Sequence, residues 1–77
     1  MEITLDFRNI HNKEELHAYL QQQLHLPDNY GKNLDALYDC LSERRETYCI
    51  RLEHFEELKM ALGEYADTLL RVLETIS

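Results

Sequence analysis

The stretch Leu26-Pro27-Asp28-Asn29-Tyr30-Gly31-Lys32-Asn33-Leu34-Asp35-Ala36-Leu37-Tyr38-Asp39-Cys40-Leu41 decides the fold. Pro27 cannot continue a helix and Gly31 can take the φ > 0 conformation of a tight turn, so residues 26–32 read as a loop. Asn33 is a good N-cap, and Leu34, Leu37 and Leu41 recur at the spacing of one buried helical stripe. Arg44 and Arg45 in the last turn complement the helix dipole, and the pattern predicts a helix over 34–45.

Each helical residue advances about 100°, so relative to Leu34 the side chains of Tyr38, Ser42, Asp35 and Asp39 fall at roughly 40°, 80°, 100° and 140°. They form one arc that faces away from the leucines. Asp35 and Asp39 are like charges at i,i+4, which costs a helix roughly 0.2 to 0.5 kcal/mol. No basic residue shares the arc, although Lys32 lies just before the helix and could approach Asp35. Two readings stay open on physical grounds. One is a solvated helix face, with Asp35 favoured by the N-terminal dipole. The other is an anion mimic, in which two carboxylates on a stiff rod stand in for phosphates in a pocket of Arg, Lys and His. Either way the arc suits binding rather than catalysis.

Upstream, Ile3, Leu5 and Phe7 alternate with Glu2, Thr4 and Asp6, which predicts a strand over 2–7. Asn12 with Glu15 three residues on resembles a capping box, and Leu16, Tyr19, Leu20 and Leu24 predict a helix over 13–24. Downstream, Tyr48, Ile50 and Leu52 alternate with Thr47, Cys49 and Arg51 in a second strand, 47–52. Two amphipathic segments follow, lined by Phe55, Leu58 and Leu62, then by Tyr65, Leu69, Val72, Leu73 and Ile76, with Gly63 between them. This order is α/β: helices cover one face of a small parallel sheet whose strands are joined by a long crossover. Two strands alone leave both edges open, so a further covering element or a second copy is expected there.

Seventy-seven residues make one domain, 1–77, with a thin core and no room for a deep substrate cavity. An apolar content of 44% with two glycines and one proline excludes a low-complexity chain. Fifteen acidic against eight basic residues give a net charge of -7, a field that repels nucleic acid and acidic membranes and draws in a cationic protein. The N-terminal residues lack the basic and apolar regions of a signal peptide, and no apolar run approaches ~18 residues, so a soluble, cytoplasmic protein is expected. Cys40 and Cys49 are expected to be reduced and to form no metal site. His11, His17, His25 and His54 show no metal-binding spacing, and no cofactor is expected. Tyr19, Tyr48 and Tyr65 fit buried faces, while Glu53, Glu56, Glu57 and Glu64 fit solvated surface.

The string Tyr-Gly-x-Asn-Leu-Asp-Ala-Leu-aromatic-Asp-Cys-Leu, residues 30–41, resembles the loop and second helix of the barstar family nearly residue for residue. The order of elements from residue 1 to about 75 also follows that family's pattern. The resemblance implies a two-layer fold with a small parallel sheet and about four helices. It also implies a third C-terminal strand, for which no counterpart is expected before Ser77: either the natural protein is truncated here or a second copy or a partner covers the open edge. Barstar-like proteins block the active site of a secreted ribonuclease of the barnase type inside the producing cell. Carried over by position, Asp39 would enter the phosphate-binding site and Asp35 would meet a second cationic group. Asn29, Tyr30, Gly31 and Asn33 would frame the contact, and Tyr38 and Ser42 would flank it.

There are departures from the pattern. Asn29 replaces an aromatic residue, Tyr38 replaces a tryptophan, and Glu43-Arg44-Arg45 replace a segment containing glycine and tryptophan. Two arginines beside the plug would repel a strongly cationic rim, which suggests a target with a different one. A late acidic contact of the family aligns with Thr75, next to Glu74.

Rival functions are separable. A carrier protein needs a serine where Asn33-Leu34-Asp35 stands, and two strands do not suit its helical bundle. An enzyme using Asp35 and Asp39 as acid and base needs burial that would split their pKa values, which an exposed arc does not provide. An immunity protein for another toxin, or a general acidic adaptor, needs only a different partner on the same fold. The expectation is therefore a non-enzymatic inhibitor of a basic ribonuclease or nuclease toxin, with homodimerisation through an open sheet edge as a further expected association.

Overall fold

In the computed structural model, which describes residues 2–43 and 49–76 (Ile76 by its backbone alone), chain order is β1 (Glu2–Asp6), α1 (Lys13–Gln23), α2 (Leu34–Ser42), β2 (Cys49–Glu53), α3 (Phe55–Leu62) and α4 (Glu64–Ile76). β1 buries Ile3 and Leu5 and exposes Glu2 and Thr4, because alternate side chains of a strand point to opposite faces. It pairs in parallel with β2, Glu2 opposite Cys49 through Asp6 opposite Glu53. Phe7 extends the ladder by donating its N–H to the Glu53 carbonyl at 3.0 Å. Four helices on a two-stranded parallel sheet, among the described residues, form the expected α/β architecture.

α1 packs on β1, and α2 and α3 both pack on α4. Between the layers lie Phe7, Leu16, Leu20, Leu24, Leu37, Leu41, Leu58 and Leu69, all essentially inaccessible to solvent. Phe7 sits at the junction, with Tyr19 of α1 and Phe55 of α3 edge-on to its ring at 6.4 and 6.3 Å. The Tyr19 hydroxyl accepts the N–H of Asp6 at 2.8 Å, tying α1 to the end of β1.

Several boundaries differ from the sequence reading. The second strand runs one residue further, to Glu53, while Thr47 and Tyr48 lie outside the described residues, as do Arg44 and Arg45. At α1 the Asn12 side chain accepts the Glu15 N–H at 2.8 Å, but the Glu15 carboxylate reaches the N–H of His11 instead of Asn12, at 2.7 Å. That bond holds the Glu15 carboxyl below its ordinary range. The helix ends in a Schellman arrangement, Leu26 N–H to Gln21 C=O at 3.0 Å, with His25 in the left-handed position usually taken by glycine.

The structure corrects the role given to Gly31. The left-handed residue of the loop is Lys32, φ 54°, and not the glycine. Gly31 stands instead at a close approach, where a Cβ would lie 3.3 Å from the Ala36 Cβ and 3.4 Å from the Asn33 side-chain nitrogen, so that those neighbours would have to give by a few tenths of an ångström.

Gly63, between α3 and α4, has φ 60° and ψ -129°, and a Cβ there would meet nothing within 4 Å. The constraint is purely one of backbone conformation. Gly63→Ala is expected to lower unfolding stability by about 1 to 3 kcal/mol, read as a shift in urea midpoint at constant slope.

Candidate partner-binding face

The loop is built from α1 outward. The Gln21 side-chain amide donates to the Pro27 carbonyl at 2.9 Å, and the same carbonyl accepts the Tyr30 N–H at 3.0 Å. Asn33 then closes the turn and opens α2. Its side-chain oxygen accepts the Ala36 N–H at 2.7 Å, and its side-chain N–H donates to the Gly31 carbonyl at 3.2 Å. Leu37 and Leu41 bury one stripe of α2 against α4.

The opposite face is open: Asp35, Tyr38, Asp39 and Ser42 are all exposed, Tyr38 to 42%. Among the described residues neither aspartate makes an ion pair. The ion pairs there join Arg8 and His54 to Asp6, His11 to Glu15 and Lys59 to Asp67, all away from α2. Lys32 is exposed and does not pair with Asp35. Among the described residues, then, two negative charges stand one helical turn apart with no counter-charge paired to either and a large aromatic side chain exposed on the same face.

The eight residues singled out from sequence divide in two. Asn29 is exposed at the loop tip and joins Asp35, Tyr38 and Asp39 as side chains turned to solvent. Gly31 offers only backbone. Asn33 spends its amide on the cap, and the Ser42 hydroxyl donates to the Tyr38 carbonyl at 2.7 Å. Tyr30 is buried to 5% exposure, so its ring lies beneath the face.

Sequence reasoning missed His17. It lies on the buried side of α1 at 1% exposure, its Nδ1 2.7 Å from the Tyr30 hydroxyl and its Nε2 bonded to the Tyr65 hydroxyl of α4. The Tyr30 hydroxyl donates to the Asn33 carbonyl at 3.2 Å. The available signal was its position three residues before Leu20 on the apolar stripe, together with two tyrosines able to satisfy both ring nitrogens. Burial lowers the His17 pKa and raises those of Tyr30 and Tyr65, so all three are uncharged at neutral pH.

Folding thus favours neutral His17. Its contribution to stability is complete above the ordinary value of 6.5 and declines as pH falls below that, until the lower folded value is passed. The urea midpoint should accordingly be lower at about pH 5 than at about pH 7.5, and His17→Gln should flatten that difference.

Among the described residues no His, Cys, Asp and Glu side chains cluster to hold a metal ion, and no helix is long and apolar enough to cross a membrane. Cys40 is half-buried and Cys49 exposed, and both are free thiols.

Two comparisons with known proteins bear on this face. The family model described as Barstar (barnase inhibitor) matches residues 1–77. A Bacillus subtilis (strain 168) protein named "Putative ribonuclease inhibitor YrdF" is 42% identical to this chain over 73 residues, covering 94% of this chain and 80% of that protein.

Proposed function

The chain belongs to the barstar family, and from that premise we propose that it inhibits a bacterial ribonuclease of the barnase type by filling the enzyme's cationic active site with the carboxylates of α2. The observation that carries this reading is the exposed pair Asp35 and Asp39, unpaired with any cation among the described residues, on a helix capped by Asn33 and packed on α4. A ribonuclease must present cationic side chains to the phosphates of its substrate. Asp39 takes the phosphate site, Asp35 meets a second cationic group one turn nearer the capped end, and Tyr38 packs against the rim. No bond is made or broken in this scheme, and the chain acts by occlusion.

The net charge of -7 steers the encounter. Asn29, exposed where the family pattern carries an aromatic residue, suits a target whose rim is polar at that point. We place the encounter in the cytoplasm of the producing cell, where an inhibitor would guard the cell's own RNA.

The test is an RNA-cleavage titration of a panel of basic bacterial ribonucleases, barnase included, with the purified chain. Stoichiometric 1:1 inhibition is expected, with an on-rate that falls steeply between low and high salt as the steering field is screened. A panel left uninhibited at micromolar chain would remove the reading.

A further inference from the structure

We infer that His17 is a positioning residue for the binding face: through its Nδ1 bond to the Tyr30 hydroxyl it fixes the loop and the first turn of α2 that present Asp35 and Asp39. Its consequence for binding rests on the inhibitory reading above.

The direction of the two imidazole bonds depends on the tautomer. With the proton on Nδ1, His17 donates to the Tyr30 oxygen over 2.7 Å, the Tyr30 O–H is free to donate to the Asn33 carbonyl at 3.2 Å, and Nε2 accepts the Tyr65 O–H. With the proton on Nε2, His17 donates to Tyr65 and Nδ1 accepts the Tyr30 O–H. In both, one imidazole ties α4 and α1 to the loop, beside the carbonyl of Asn33, the N-cap of α2. That carbonyl also accepts the Leu37 N–H at 3.0 Å, while the Asn33 side chain caps Ala36. α1 therefore braces the loop at both ends, through Gln21 at Pro27 and through His17 at Tyr30. Asp35 lies five residues beyond the second brace and two beyond the N-cap Asn33.

Two substitutions separate positioning from packing. An Asn amide at 17 reaches the place of Nδ1 and keeps the Tyr30 bond, whereas a Gln amide reaches the place of Nε2 and keeps the Tyr65 bond. Both remove the ring and its titration. Amide hydrogen exchange of the free protein should show His17→Gln accelerating Tyr30, Ala36 and Leu37 by about tenfold or more relative to Leu69, with His17→Asn within about threefold of wild type. Inhibition constants against the ribonuclease that wild type inhibits should split the same way.

Tyr30→Phe, which retains the ring, should reproduce the Gln pattern and serves if that variant does not fold. Equal exchange in the Asn and Gln variants, or loosened amides with unchanged inhibition, would overturn the assignment. Because exchange is read on the free protein, a wild type that inhibits nothing defeats the inhibitory reading alone and leaves the brace to be judged by exchange.

Discussion

Asp39→Ala should raise the inhibition constant by thirtyfold to several thousandfold, corresponding to the about 2 to 5 kcal/mol lost when one partner of a buried charge pair is truncated in measured complexes, barnase with barstar among them. The same change should leave the free protein as stable as before or slightly more so. Asp39 makes no ion pair among the described residues and caps nothing, and its removal relieves about 0.2 to 0.5 kcal/mol of repulsion from Asp35. Asp35→Ala differs, because Asp35 lies in the first turn of α2, where a negative charge gains about 0.3 to 1 kcal/mol from the dipole. Isothermal titration beside thermal melts separates the two effects. Undiminished binding by a well-folded Asp39→Ala variant would contradict a central role for this carboxylate.

Phe7→Ala should be the most destabilising single truncation in the core. The ring is wholly buried where the strand pair, α1 and α3 meet, with aromatic neighbours on two sides. Truncating such a residue costs about 3 to 5 kcal/mol, against a total of about 4 to 12 kcal/mol for a chain of this length. A melting temperature lowered by about 10 °C or more, with faster amide exchange at Leu20 and Leu69, is the expected result. A cooperative melt within a few degrees of wild type would show that the junction repacks around the void.

The elements with strict periodicity were legible in the sequence. Ile3 and Leu5 share a face by the period of a strand, Asn33 is a cap by residue type, and a 100° step per residue separates Leu37 and Leu41 from Asp35, Tyr38 and Asp39. Residues in the left-handed region were not legible. Asn9, His25, Lys32 and His54 all have positive φ; Asn and His tolerate it better than most residues, but these types also stand elsewhere in the chain with ordinary φ, so the type alone does not mark the positions. The loop shows why: its one glycine drew the turn assignment, whereas the structure uses that glycine for clearance and bends at Lys32.

Within the candidate face, periodicity revealed exposure but not satisfaction. Nothing local indicates that the Ser42 hydroxyl folds back on its own helix or that Tyr30 turns inward. His17 lay furthest out of reach, because its partners are 13 and 48 residues away and only the assembled layers bring them to one imidazole.

The parallel register has a consequence for biosynthesis. Ile3 and Leu5 leave the ribosome well before the residues they pair with, since their rungs lie at Ile50 and Leu52. The earlier strand must wait without this partner through translation of both intervening helices, and the closure entropy of that long excursion is repaid only when the later strand arrives. Slowed elongation between the two strands would therefore prolong the exposure of a sticky apolar segment, whereas a pause after residue 53 has cleared the exit tunnel would give the sheet time to zip.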